Sequence, residues 1–148
     1  MAQNMGDDAL NLARRCAEAM WANDHATRGL GMELLEVRPG RATIAMTVRE
    51  SMANGQGICH GGFIFALADS AFAFACNAYG PITVAQHCAV TFLRPGRVGA
   101  RLTAEAVERT RTGRSGIYDV SVTRDDGTLI AEFRGHSRAI DGNWVENP

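Results

Sequence analysis

The stretch NGQGICHGGFIFALADSAFAFACNAYG, residues 54–80, determines how the rest of the chain can be arranged. It begins as a polar, glycine-rich loop and becomes an almost unbroken apolar run over residues 63–79. A run of this length is too long for an ordinary strand, and its alanine-rich, proline-free composition predicts a helix. Because this helix is apolar on nearly every face, it is expected to be buried on nearly every side.

Asp69 is the only carboxylate inside that apolar run. Removing a carboxylate from water is costly unless another group pairs with it or the protein uses its chemistry. Asp69 is therefore either a structural acid paired with an arginine or a catalytic acid, and its place in the middle of the helix favours the catalytic interpretation. Gly61 and Gly62, just before the run, form either a plain turn with close helix packing or a site where backbone N–H groups bind a ligand.

Helical spacing of apolar residues predicts a further, N-terminal helix over about residues 7–23. Alternating apolar residues predict strands near residues 32–37, 41–49, 83–93, 101–110, 116–124 and 128–140, and the chain after Asp141 is expected to be loose. The predicted fold is α+β in a single domain over residues 1–148, with its core at about 29–140. In it, one mainly antiparallel sheet wraps a long central helix. Since one sheet cannot cover all of such a helix, a second subunit is expected to cover the rest.

The composition of the 148-residue chain gives no indication of several common functions. A net charge of −1 gives no reason to expect nucleic acid or an anionic membrane as a partner. The N-terminus lacks the order of a signal peptide, and the apolar run is short for a membrane span and contains an acid. The four cysteines lack metal-ligand spacing, so no metal is expected and a cytoplasmic location is predicted.

Several short motifs carry a resemblance to a known family. Asn54 stands six residues before His60–Gly61–Gly62, and Asp69 follows Gly61 by eight residues. CNAYG at 76–80, FLRPG at 92–96, GIYDV at 116–120 and FRGHS at 133–137 add to this pattern. With these motifs, the chain resembles the hot-dog fold acyl-CoA thioesterases, and more narrowly the phenylacetate-pathway (PaaI-type) thioesterases.

The resemblance implies that the protein hydrolyses acyl-CoA to the free acid and CoA without a metal or other cofactor. The first substrates to expect are phenylacetyl-CoA and hydroxyphenylacetyl-CoA. In the family, the position of Gly61 offers its backbone N–H to the thioester carbonyl, and that of Asp69 acts as general base or as nucleophile. Asn54 would orient the attacking water or the carboxylate, and His60 would shape the loop and help to polarise the carbonyl. Gly62, Arg94 and Gln86 are further candidates for binding the substrate or CoA.

Geometry adds one expectation about the assembly. Two helical turns separate Asp69 from Gly61 of its own chain, which is about 12 Å at 1.5 Å per residue. This separation is too large for both groups to act on one carbonyl carbon. A site shared between the subunits of a homodimer or homotetramer, with Asp69 of one facing the His60–Gly61 loop of the other, resolves the difficulty.

Other interpretations stay open from the sequence. Asn54 could serve only as an Asx-turn residue, and Cys59 could be a thiol nucleophile or a small loop filler. The protein could hydrolyse other short or medium acyl-CoAs by the same mechanism. It could also be a non-catalytic acyl-CoA-binding sensor, although the presence of Asp69 argues against this.

Overall fold

The computed structural model describes residues 2–146, with side chains for residues 4–146. In chain order the elements are α1 (Ala2–Asn23), α2 (His25–Gly29), β1 (Glu33–Arg38), β2 (Arg41–Thr47), a 3-10 turn (Glu50–Met52), α3 (Gly61–Cys76), β3 (Pro81–Phe92), β4 (Arg101–Thr112), β5 (Ser115–Arg124) and β6 (Leu129–Asn143). The predicted α+β fold, with a central helix and a wrapping antiparallel sheet, is confirmed.

The six strands form one sheet in the order β1-β2-β4-β5-β6-β3. All five pairings between neighbouring strands are antiparallel. β1 and β3 are the two edge strands, so one side of each has no strand partner within the described chain. β3 has irregular register between Ala85 and His87, which marks a bulge in that edge.

The central helix α3 packs mainly across β2, β4 and β5. Buried side chains of the helix, such as Leu67 and Phe72, belong to one core cluster with Ile44, Leu102 and Val120 from the sheet, and all are at most 1% exposed. Burying an aliphatic or aromatic side chain of this size contributes about 1.5–3 kcal/mol to folding. This layer therefore fixes the position of α3 over the sheet.

One face of α3 stays partly exposed in the single chain. Phe63, Ala66, Asp69 and Ala73 lie on it, and we call this set the open stripe. The spacing of three and four residues places them on the same side of the helix. The helix is therefore not buried on every side by its own sheet, which is the situation that led us to expect a second subunit.

The ends of the chain are more ordered than the sequence suggested. α1 begins at Ala2 rather than near residue 7, and α2 was not predicted. The prediction of a loose tail from Asp141 is wrong for the residues described there. β6 continues to Asn143, and the indole Nε1 of Trp144 donates a hydrogen bond of 2.6 Å to Asn77 Oδ1. Residues 147–148 lie outside the described part.

Candidate active site

The loop before α3 is shaped by Asn54. Its Oδ1 accepts hydrogen bonds from the backbone N–H groups of Gln56 at 3.0 Å and Ile58 at 3.3 Å. Its own backbone N–H donates to Ile58 O at 2.8 Å, which closes the turn. The Asx-turn role is therefore present in the structure. Only the side-chain Nδ2, for which the described residues offer no acceptor, is left to contact a water or a carboxylate.

His60 is the N-cap of α3. Its Nδ1 accepts a hydrogen bond of 2.9 Å from the backbone N–H of Gly62, and its own N–H donates to Met52 O at 2.8 Å. A ring that accepts at Nδ1 carries its proton at Nε2, which is left as the remaining donor. His60 thus shapes the loop, as expected, and at the same time it occupies the N–H of Gly62. Gly62 is not free to bind substrate through that group.

Gly61 differs from Gly62 in the hydrogen bonding of its backbone N–H. Within residues 2–146, no acceptor pairs with the Gly61 N–H, which belongs to the first turn of α3. A free N–H at the positive end of a helix favours an anion or a developing oxyanion. Of the two glycines, Gly61 is therefore the one that can supply an oxyanion donor.

Asp69 lies on the open stripe, and burial raises the pKa of its carboxyl. No hydrogen bond or ion pair to it occurs among the described side chains, so the arginine partner that a structural role requires is not present. A close ionisable neighbour on the sheet is Cys88 of β3. The pKa of this thiol is raised to about 11 by burial and, second, by the charge of Asp69. An unpaired, partly buried carboxylate is typical of a catalytic base.

α3 and β3 are in contact, and the two candidate groups of the helix, Gly61 and Asp69, each lie near a residue of this strand. Phe92 of β3 touches Gly61: three atoms of its ring lie 2.9, 3.2 and 3.3 Å from the point where a Cβ on Gly61 would sit. Cys88, on the same side of β3 as Phe92, lies near Asp69. Four strand residues cover about 13 Å, close to the roughly 12 Å that separate Gly61 from Asp69 along the helix.

The other candidate residues are exposed on the surface, already hydrogen-bonded within the chain, or buried. Arg94 is exposed and donates to Leu129 O at 2.9 Å, and Gln86 is exposed at the bulge of β3. Cys59 is buried, and burial raises the pKa of its thiol, so it stays protonated and is a poor nucleophile. Within the described chain, no group of three or more His, Cys, Asp or Glu side chains could hold a metal ion.

Sequence reasoning missed the role of two features here. Phe92 was noted only as the first residue of the FLRPG motif, and nothing in its spacing along the sequence predicted that it contacts Gly61. Whether the backbone N–H of Gly61 or of Gly62 has a hydrogen-bond partner depends on the rotamer of His60, and two adjacent glycines in a sequence do not reveal that rotamer.

None of the described helices is both long enough and apolar enough to cross a bilayer.

Comparison with known proteins identifies the family of the chain. Residues 56–131 match the thioesterase superfamily, and the chain belongs to that family. It is 43% identical over 126 residues to the acyl-coenzyme A thioesterase PaaI of Escherichia coli strain K12, covering 85% of this chain and 90% of the relative. The predicted class is thereby confirmed: the protein is a thioesterase of the hot-dog fold.

Solved structures similar to this chain include two PaaI proteins. The E. coli PaaI protein from the phenylacetic acid degradation operon superposes with a TM-score of 0.89 at 41% identity, over 90% of this chain and 97% of that one. A variant of the phenylacetic acid degradation protein PaaI from Thermus thermophilus gives 0.74 at 41% identity, over 77% and 97%.

Proposed function

We propose that the protein hydrolyses acyl-CoA thioesters to the free acid and CoA. Asp69 is the acid, the Gly61 N–H is the oxyanion donor, and each site is formed by two subunits. The observation that carries the proposal is the unpaired Asp69 carboxyl with its raised pKa on the open stripe of α3. The name of the 43% identical relative, an acyl-coenzyme A thioesterase, supports the choice of substrate class.

The free edge of β3 supports a shared site. Within the described chain this twelve-residue strand pairs with another strand on one side only, and its Val84 and the following Leu93 are 42% and 48% exposed. An exposed, apolar edge strand of this length is prone to pair with another chain. Antiparallel pairing of two β3 strands around a twofold axis would place the open stripes next to each other, as a homodimer or within a homotetramer.

In that arrangement Asp69 of one subunit faces the Gly61 N–H of the other. The thioester oxygen accepts the Gly61 hydrogen bond, which stabilises the negative charge that develops on it. As general base, the Asp69 carboxylate takes a proton from water while the water oxygen bonds to the carbonyl carbon. The C–S bond then breaks, CoA thiolate leaves, and the proton returns to sulfur. As nucleophile, Asp69 would instead form an anhydride that water hydrolyses.

The first substrates we propose are arylacetyl-CoAs, phenylacetyl-CoA and hydroxyphenylacetyl-CoA. The two PaaI relatives are named for phenylacetic acid degradation, and α3 and β3 carry partly buried apolar side chains, among them Phe63, Ala66 and Val90. Other short or medium acyl-CoAs are the alternative.

The test is release of free CoA thiol from a panel of acyl-CoAs, with wild type, Asp69→Asn and Asp125→Asn side by side. Asp125, an exposed acid in the β5–β6 turn, serves as the matched control. We expect turnover that favours arylacetyl thioesters, collapses in Asp69→Asn and is unchanged in Asp125→Asn. Turnover that survives in Asp69→Asn would reject the mechanism. Tight binding without turnover by the wild type would instead identify a sensor.

A further inference from the structure

We propose that Phe92 is a specificity-determining residue whose ring forms the wall of the acyl site beside Gly61 and favours flat, aromatic acyl groups. This inference rests on the thioesterase function proposed above. It starts from the contact between the Phe92 ring and Gly61, whose shortest distance, 2.9 Å, runs from Cζ to the point where a Cβ would be.

The position of Phe92 follows from the sheet. It is the last residue of β3, it pairs with Ala131 of β6, and its ring reaches across to the first turn of α3. The residue is nevertheless 51% exposed. A large apolar side chain that is half exposed beside the first turn of α3 can contact a ligand, which the buried phenylalanines of the core cannot do.

The same contact explains why residue 61 is a glycine. Its backbone does not adopt a positive φ, so conformational freedom is not the reason. The ring instead fills the space that any side chain would need. Gly61 and the Phe92 ring are consequently in contact, so a group that hydrogen-bonds to the Gly61 N–H has an apolar ring close beside it.

A thioester bound there would meet both groups. Its carbonyl oxygen would lie about 2.9 Å from the Gly61 nitrogen, at normal hydrogen-bond distance. The acyl substituent, attached directly to the carbonyl carbon, would then contact the ring. Two aromatic rings at roughly 4.5–7 Å gain about 0.5–1.5 kcal/mol beyond their buried area, whereas a methyl group has too little surface to gain from the wall. An aryl group one methylene from the carbonyl therefore benefits most.

The simpler role for Phe92 is to pack against the start of α3. Leucine would preserve much of that packing but not the flat ring, and tyrosine would preserve the ring. Leu93, the next residue, is almost equally exposed at 48% and provides a matched control at the same strand end.

The experiment measures kcat/KM for phenylacetyl-CoA, cyclohexylacetyl-CoA and acetyl-CoA with wild type, Phe92→Leu, Phe92→Tyr and Leu93→Ala. In Phe92→Leu we expect the preference for phenylacetyl over acetyl to fall about tenfold, and the preference over the non-planar cyclohexylacetyl to disappear. Phe92→Tyr and Leu93→Ala should keep both preferences. Because each preference is a ratio within one variant, a change in the folded or assembled fraction cancels.

Equal losses on all three thioesters in Phe92→Leu, or unchanged ratios, would overturn the inference. So would a loss of preference in Phe92→Tyr as large as in Phe92→Leu. If Phe92→Leu does not fold, Phe92→Met is judged by the same ratios. A wild type that hydrolyses no thioester refutes the proposed function itself. A wild type that is active and depends on Asp69, with ratios insensitive to Phe92, refutes only the role of Phe92.

Discussion

The polar groups at the two ends of α3 differ in their hydrogen bonding. At the C-terminal end, Asn77 is 2% exposed and fully hydrogen-bonded. Its Nδ2 donates to Ala73 O at 2.8 Å and to Thr83 O at 2.9 Å, and its Oδ1 accepts from Thr83 N at 2.8 Å and from Trp144 Nε1 at 2.6 Å. This satisfies every donor and acceptor of an amide side chain.

The corresponding groups are open between Gly61, at the start of α3, and Asp69, in its middle, and we call this part of the helix the open end. Gly61 N–H and the Asp69 carboxyl find no partner among the described residues, and burial has already raised the pKa of Asp69. Leaving a buried polar group unsatisfied costs about 1–3 kcal/mol. One helix thus has a closed end that stabilises the fold and an open end whose groups are available to a substrate.

The largest effect we expect is on activity, from Asp69→Asn. The amide is nearly the same size but cannot act as a base, so kcat should fall about 10³-fold. Since burial disfavours the ionised acid, the variant should also be more stable than wild type at neutral pH. Steady-state kinetics and thermal unfolding at neutral pH check both changes. Lower stability together with lower activity would mean that Asp69 is a structural residue.

A second change removes the open donor at Gly61. Proline is tolerated at the first position of a helix and lacks an N–H, and the extended backbone of His60 suits a residue before proline. We expect Gly61→Pro to lower kcat about 10²-fold. Gly61→Ala is the control, because it adds the same Cβ against the Phe92 ring as proline does but keeps the N–H. Equal losses in both variants would show that space, not the donor, matters at this position.

A substitution at the closed end should change the stability of the fold rather than the activity. Asn77→Ala leaves the backbone groups of Thr83 and the indole of Trp144 without their partner. We expect the free energy of unfolding to fall by about 2–3 kcal/mol, with kcat per folded molecule unchanged. Chemical denaturation and active-site-normalised rates measure the two quantities. A loss of kcat as large as that of Gly61→Pro would show that the two ends are not separate in function.

The smallest effect is a displacement of the pH profile. Asp69 must be ionised to act as base, and its raised pKa means that kcat/KM should decline on acidification at a pH above the ordinary aspartate value of about 3.9. The rate of Asp69→Asn should lack this acidic limb. An acidic limb at or below the ordinary aspartate value would contradict the burial of the wild-type carboxyl.

The open end could be predicted from the sequence better than the closed end. The long apolar run indicated α3, the alternating strands indicated its sheet, and the anomaly of one acid inside the run singled out Asp69. All of these are local signals. The closure of Asn77 by Trp144 joins residues 67 positions apart, and no periodicity encodes such a contact. The contact between Phe92 and Gly61 could not be predicted for the same reason, because this contact forms only when β3 packs beside α3.

The central claim, that the two open groups of each site come from different subunits, is tested most directly by mixing two inactive chains. Asp69→Ala and Gly61→Pro subunits are combined, exchange is verified by mass spectrometry, and thioester hydrolysis is measured. A mixed pair has one site with both groups intact, so statistical mixing should restore about a quarter of wild-type activity. Mixed subunits that exchange fully and stay inactive would contradict the shared site.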